Sequence, residues 1–230
     1  MSFSNSTEPL LRTKQTALDV QDLQGLLRIY WQVGNKTIFS GFYTRIDQVF
    51  ILWGLINALI FSTAQFFPLS WHLQAIFWST LSVVGLVGMV ILIHYWVRVE
   101  KVVWVVYAWI ILMLSGVILT DFSIFLGWGE VLIRLCPLWL VLNALGYFCT
   151  GIGLQSRTFM LTGLIHLLSI GILPYVGGWQ FLTTGIVIVV SLLVLAEMQW
   201  DMRSPIDSDV LTSEQKEFNR QQQHLRQLSA

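Results

Sequence analysis

AIFWSTLSVVGLVGMVILIHYW, residues 75–96, is a run of 22 residues without one Asp, Glu, Lys or Arg. At ~1.5 Å rise per residue a helix of this length is ~33 Å long, enough to cross a hydrocarbon layer about 30 Å thick. Reading outward for runs of the same kind gives five more, so that spans are expected at 48–67, 75–96, 102–120, 135–154, 158–176 and 181–198. Polar breaks separate them. PLSWHLQ follows the first span, RVEK (98–101) the second and DFSIFLGWGE (121–130) the third, while QSR (155–157) and YVGGWQ (175–180) mark the last two. The whole chain agrees, being 55% hydrophobic and 11% charged with a mean hydropathy of +0.68, where soluble domains carry roughly a quarter charged residues. The fold class expected is all-α, a polytopic membrane bundle of six transmembrane helices.

Six spans put both termini on one side. That side carries twelve of the thirteen Lys and Arg residues, leaving only Arg134 opposite, and cytoplasmic loops hold the cationic excess. Both termini are therefore expected in the cytoplasm. Tryptophan favours the headgroup level because its ring is apolar with one N–H donor. Trp71, Trp128 and Trp179 fall at the outer level and Trp96, Trp104 and Trp200 at the inner one, while Trp53, Trp78, Trp109 and Trp139 lie deeper, as packing residues.

Residues 1–17 read as a disordered polar N-terminus with no cleavable signal peptide. Residues 18–46 form an interfacial segment. In 18–33, Leu23, Leu26, Leu27, Tyr30 and Val33 share one face of a helix, which lies in the inner interface or packs on the end of the bundle. The transmembrane domain covers 47–199. Residues 200–230 are a polar tail, with a frayed helix behind an N-cap at Thr212 or Ser213.

Polar groups at bilayer depth need a reason, because hydrocarbon offers them no partner. Asn57 and Asn143 sit near the middles of the first and fourth spans, and His166 in the fifth is level with both. On the fourth span Cys136, Asn143, Tyr147 and Thr150 share a stripe; on the fifth Thr158, Thr162, His166 and Ser169 do. Gly54-x-x-x-Ala58 brackets Asn57 and admits a close neighbouring helix. A midplane cluster of Asn57, Asn143 and His166 follows, with Thr162, Ser169, Tyr147 and Thr150 as further lining. It reads either as glue between helices or as the wall of a path. The asparagines also align. FILWGLINALIF and CPLWLVLNALGYF match at Leu52/Leu138, Trp53/Trp139, Asn57/Asn143, Ala58/Ala144 and Leu59/Leu145. This reads as an inverted 3+3 repeat, as in many transporters, or as coincidence among helices written in Leu, Val, Ile and Trp.

Other chemistry is excluded more readily. No HExxH, GxSxG, Walker loop or strand-linked GxGxxG is present, and no carboxylate lies at a midplane, which argues against ion-coupled carriers. Asp121, Glu130, Arg134 and Glu197 sit at or beyond span ends. Cys136 and Cys149 share one helix ~20 Å apart, beyond disulfide reach. His94 and His166 differ in depth by ~12 Å, too much for a bis-histidine haem. No metal or other cofactor is expected, nor nucleic-acid binding, for which no basic patch exists.

GFYTRIDQVFILWGLINALIF (41–61), LPYVGGWQFLTTG (173–185), the Trp-rich spans and the Gln-rich tail resemble conserved six-span membrane proteins of cyanobacteria. The resemblance implies a plasma or thylakoid membrane and transfers no activity. The function expected is non-enzymatic, an accessory or assembly partner in a membrane complex, with the lipid bilayer and a membrane-protein or homo-oligomeric partner around it. The alternative is a small permease or channel for a neutral solute, lined by the midplane cluster.

Overall fold

Each apolar run becomes a helix because the bilayer leaves backbone N–H and C=O groups no partner outside the segment. A computed structural model describes residues 9–34 and 36–228. The chain begins with a short strand β1 (Leu11–Arg12), one turn of helix α1 (Val20–Leu23) and a hairpin of β2 (Leu27–Val33) and β3 (Lys36–Tyr43). Then come α2 (Arg45–Phe66), α3 (Trp71–Val99), α4 (Val103–Phe125), the one-turn α5 (Gly129–Leu132), α6 (Leu135–Leu154) and α7 (Arg157–Ile170). Two 3-10 turns lead into α8 (Gln180–Glu197), β4 (Gln199–Trp200) and α9 (Ser213–Leu228). Six helices are long and apolar enough to cross a membrane, the fifth being α7 continued to Tyr175. The protein is an all-α membrane-type bundle.

Side chains set several helix starts. Thr44 and Asp47 form a reciprocal capping box at α2, and Ser70 and Ser156 cap α3 and α7, relieving backbone donors that have no partner inside the helix. The short connections make sequential helices neighbours, and α8 returns against α2. Glycines admit tryptophan rings at the contacts. A Cβ on Gly85 would come within 3.0 Å of Trp53, and one on Gly146 would overlap Trp109. Gly54 behaves differently: α8 does pack there, but a Cβ would meet Leu193 at an ordinary 3.7 Å, so the contact does not require glycine.

Several expectations are corrected. Residues 18–33 do not form a helix: only Val20–Leu23 is helical, and Leu27–Val33 pairs antiparallel with Lys36–Tyr43. The stretch Leu27, Ile29, Trp31, Val33 alternates with period two, β-branched and aromatic residues dominate, and Gly34 sits at the turn with φ +60°; that pattern prevails over the helical spacing. The polar N-terminus is ordered from residue 9 onward, since Leu11 and Arg12 pair with Trp200 and Gln199; residues 1–8 lie outside the described part. The tail helix begins where expected, with Thr212 and Gln215 capping each other. It is docked, however: Asn219 is buried against Gln21 and Arg226 pairs with Asp19. Trp96 and Trp200 are not at a free interface, because these flanks cover them; Trp96 donates to Asp22 (2.9 Å). The third span continues to Phe125, so Asp121 lies inside α4 and accepts from Ser79 (2.8 Å).

Candidate functional site

The bundle encloses a narrow cavity of about 140 Å³ between α2, α3, α4, α6 and α8, with Phe159 the contribution of α7. Along α2 it reaches from Ile46 to Ala64, a height of ~27 Å at the helical rise, close to the hydrocarbon thickness. Trp53, Trp78, Trp96, Trp109, Trp139 and Trp200, six of the eleven tryptophans, line it. Its few polar groups are Asn57, Asn143, Tyr147, Thr150, Ser79, Ser82, Thr120 and Asp121.

The structure brings part of the expected cluster together. Asn57 from α2 and Asn143 from α6 both face the cavity, as do Tyr147 and Thr150. His166, Thr162 and Ser169 do not line it. His166 is fully buried on α7 against Tyr147, with ring centroids 4.9 Å apart. No hydrogen bond among the described residues joins Asn57, Asn143 and His166. Each turns back on its own helix instead: Asn57 donates to the Trp53 carbonyl and Asn143 to that of Trp139, both at 2.8 Å, and His166 Nδ1 donates to Thr162 O at 2.8 Å. Thr150, Thr162 and Ser169 likewise bond the carbonyl four residues back. Local satisfaction of this kind is a frequent fate of short polar side chains in helices.

Two of the buried polar atoms left over belong to the expected cluster and its lining. Tyr147 Oη and His166 Nε2 have no hydrogen-bond partner among the described residues. Tyr147 is 1% exposed and lines the cavity, so its hydroxyl is a donor held ready in a dry wall. Cys136 is buried and Cys149 half-buried, and both thiols are free. His94 is exposed on α3, away from His166.

A second, polar cavity of about 410 Å³ lies at the cation-rich end. Ile46, Trp96 and Trp200 line both cavities, so the polar space abuts the end of the apolar shaft across these side chains, at the position of a mouth. Its walls come from the two flanks. Lys14 pairs with Asp47 (2.7 Å), Arg226 with Asp19 (3.0 Å) and Arg203 with Glu100 (3.8 Å). Gln21 links Glu100 to Asn219. Burial pushes the Glu100 carboxyl up to about 7 against the pull of Gln21 and Arg203. Asp22 rises to about 6, through burial first and the charge of Asp19 second.

Beside the mouth, Asp201 is 2% exposed and closes the start of α7. It accepts from Ser156 Oγ, from Thr158 Oγ1 and from the backbone N–H groups of Arg157 and Thr158, and it pairs with Arg157 Nε (3.0 Å). Burial would raise its carboxyl, but these donors outweigh it and hold it below the ordinary aspartate range. An anion suits a helix N-terminus for the same reason. Sequence reasoning missed this residue and the whole mouth, whose partners are 33 or more residues apart; the only local signal was polar residues crowded at span ends. Among the described residues no group of three His, Cys, Asp or Glu is placed to hold a metal ion. No protein-family model matches the chain, and no curated protein or solved structure does either.

Proposed function

We infer that the protein is a non-enzymatic membrane protein that holds a chain amphiphile, serving as a lipid-carrying accessory component of its membrane. The observation that carries this reading is the shared wall: Ile46, Trp96 and Trp200 join a charged mouth to an apolar shaft. Such a site suits a molecule with a polar head and a long apolar chain. The shape favours one chain, since the space is drawn out over ~27 Å along α2. Aromatic walls with few oriented polar groups are typical of ligand sites. Tyr147 adds a donor one aromatic layer below the mouth, stacked near Phe159, which in turn meets Trp200 (centroids 6.2 and 4.8 Å). An ester or ether oxygen of the amphiphile is its acceptor.

The cation-rich end is the cytoplasmic one by the positive-inside rule, so the head would enter from the cytoplasmic leaflet. On the resemblance to cyanobacterial six-span proteins, the membrane is a plasma or thylakoid membrane. A second reading, passage of a small neutral solute, rests on Asn57 and Asn143 facing one shaft from two helices. The amides favour it less because each spends a donor on its own backbone.

The test is lipid retention. Mass spectrometry of the protein purified in mild detergent should show a bound single-chain or chain-inserting lipid. A fatty acid brominated along its chain should quench the wall tryptophans in reconstituted protein. Val106→Trp, which fills the shaft from α4, should abolish both effects while leaving the helical content unchanged. If quenching is identical in the plugged variant, the shaft is not the binding site. Flux of a small neutral solute blocked by the same variant would favour the second reading.

A further inference from the structure

Apart from Phe42 at its base, which lines the polar mouth, the β2–β3 hairpin lines neither cavity. All seven residues of β2 are exposed, with Trp31 at 62% and Val33 at 58%. Its strands alternate, so Leu27, Ile29, Trp31 and Val33 lie on one face and Arg28, Tyr30 and Gln32 on the other. An isolated two-stranded hairpin is marginal in water, and an uncovered row of Leu, Ile, Trp and Val calls for a surface to lie on. Only the base is fixed. The Tyr43 hydroxyl donates to Glu197 (2.7 Å), and Gln48 donates to the carbonyls of Gly25 (2.9 Å) and Tyr43 (3.1 Å). These ties hold the base of the hairpin to the first turn of α2 and the last residue of α8, the level at which those helices leave the apolar layer. From there the hairpin extends ~23 Å.

Charge selects what it lies on. Residues 23–46 contain no Asp or Glu but three cations, Arg28, Lys36 and Arg45, in a chain whose acids and bases balance at 13 each. Two of these cations, Arg28 and Lys36, are in the hairpin itself, so a second copy of it would bring the same positive charges and no acid to meet them. An anionic lipid surface complements it on both counts: tryptophan and tyrosine rings settle at the headgroup level, and Lys and Arg there are drawn to negative headgroups.

We propose that the hairpin is a membrane-surface anchor that lays its Leu27, Ile29, Trp31 and Val33 face onto anionic lipid headgroups. It is independent of the cavity and would stand if the shaft proved empty. In this role it orients the polar mouth at the leaflet surface.

The experiment uses the full chain carrying Val33→Cys with a nitroxide label, in a Cys136→Ala, Cys149→Ala background. It is reconstituted in nanodiscs of phosphatidylcholine alone or of an equal mixture with phosphatidylglycerol. The label should be shielded from a water-soluble relaxing agent in the anionic discs and exposed in the neutral ones. High salt should erase the difference. Lys36→Gln, on the lipid-facing side opposite Val33, should weaken the partition about fivefold, and Arg28→Gln, on the other face, should weaken it less. In the unmodified chain, amide exchange across residues 27–43 should slow in the anionic discs alone, which tests the proposal even if the cysteine-free background fails to reconstitute. Equal water exposure in both disc types overturns the proposal. So does spin–spin broadening that grows with the number of copies per disc, because the hairpin would then pair with itself.

Discussion

Asn143 in the bundle and Asp201 beside the mouth are both nearly buried, at 7% and 2% exposure, yet they find their partners in opposite ways. Asn143 looks four residues back along its own helix. Asp201 collects donors from Ser156, Arg157 and Thr158, more than 40 positions away in the chain. The contrast holds across both regions. In the bundle, Asn57, Thr150, Thr162 and Ser169, and His166 through Nδ1, bond to their own turns. At the cation-rich end, Lys14, Gln21, Arg203 and Arg226 reach across 33 to 207 residues. Where a helix is stabilised by the bilayer, polar side chains need only local relief; where loops and termini meet water, ion pairs hold the segments in place. The bundle is therefore expected to tolerate loss of its amides, and the end structure to depend on single carboxylates.

The largest effect expected from this comparison is at Asp201. Asp201→Asn keeps the shape but removes the charge that pairs with Arg157 Nε and accepts from the first backbone N–H groups of α7. Breaking a buried pair from one side costs roughly 3–5 kcal/mol. Thermal unfolding in detergent should show the loss, and protease should cut first near residue 201. An unchanged melting temperature would mean that water serves the helix start equally well.

Next comes pH. Glu100 and Asp22 bind protons more tightly in the folded state than in the unfolded chain, at about 7 and about 6. For a carboxyl raised in this way, stability is greatest below its unfolded value and falls as pH rises toward its folded value. Stability, followed as the melting temperature, should therefore climb as pH drops from about 7 to about 4.5, by on the order of 2–3 kcal/mol from Glu100 and somewhat less from Asp22. Asp201 acts with the opposite sign, its contribution being present above the ordinary aspartate range and lost below it. The two together place the optimum in mildly acidic solution. Glu100→Gln should flatten the slope between those limits.

The smallest effect is expected in the bundle. Asn143→Leu removes an amide whose bond is internal to α6, so the cost should stay near or below about 1 kcal/mol. A much larger loss would show that Asn143 bridges helices, and the comparison would fail at its clearest point.

Much of the bundle was legible in the sequence. Uninterrupted apolar runs identified six helices, and the deep placement of Trp53, Trp78, Trp109 and Trp139 agrees with their position around the shaft. The depth of Asn57 and Asn143 was legible as well, because it follows from position along a helix. The hairpin was misread since LRIYWQV satisfies both a helical and an alternating pattern, and local spacing alone does not arbitrate between them. The mouth was invisible for a different reason: nothing near Gln21 in the chain points to Glu100 or Asn219.

Composition by itself determined that this chain forms apolar helices long enough for a membrane, because a hydrocarbon layer imposes length and apolarity on each segment separately. Which polar side chains turn inward, which atoms stay unpartnered, and how the two flanks close over Trp96 and Trp200 were decided only by tertiary structure. Those outcomes depend on contacts between segments that are remote in sequence, and no single segment encodes its partner.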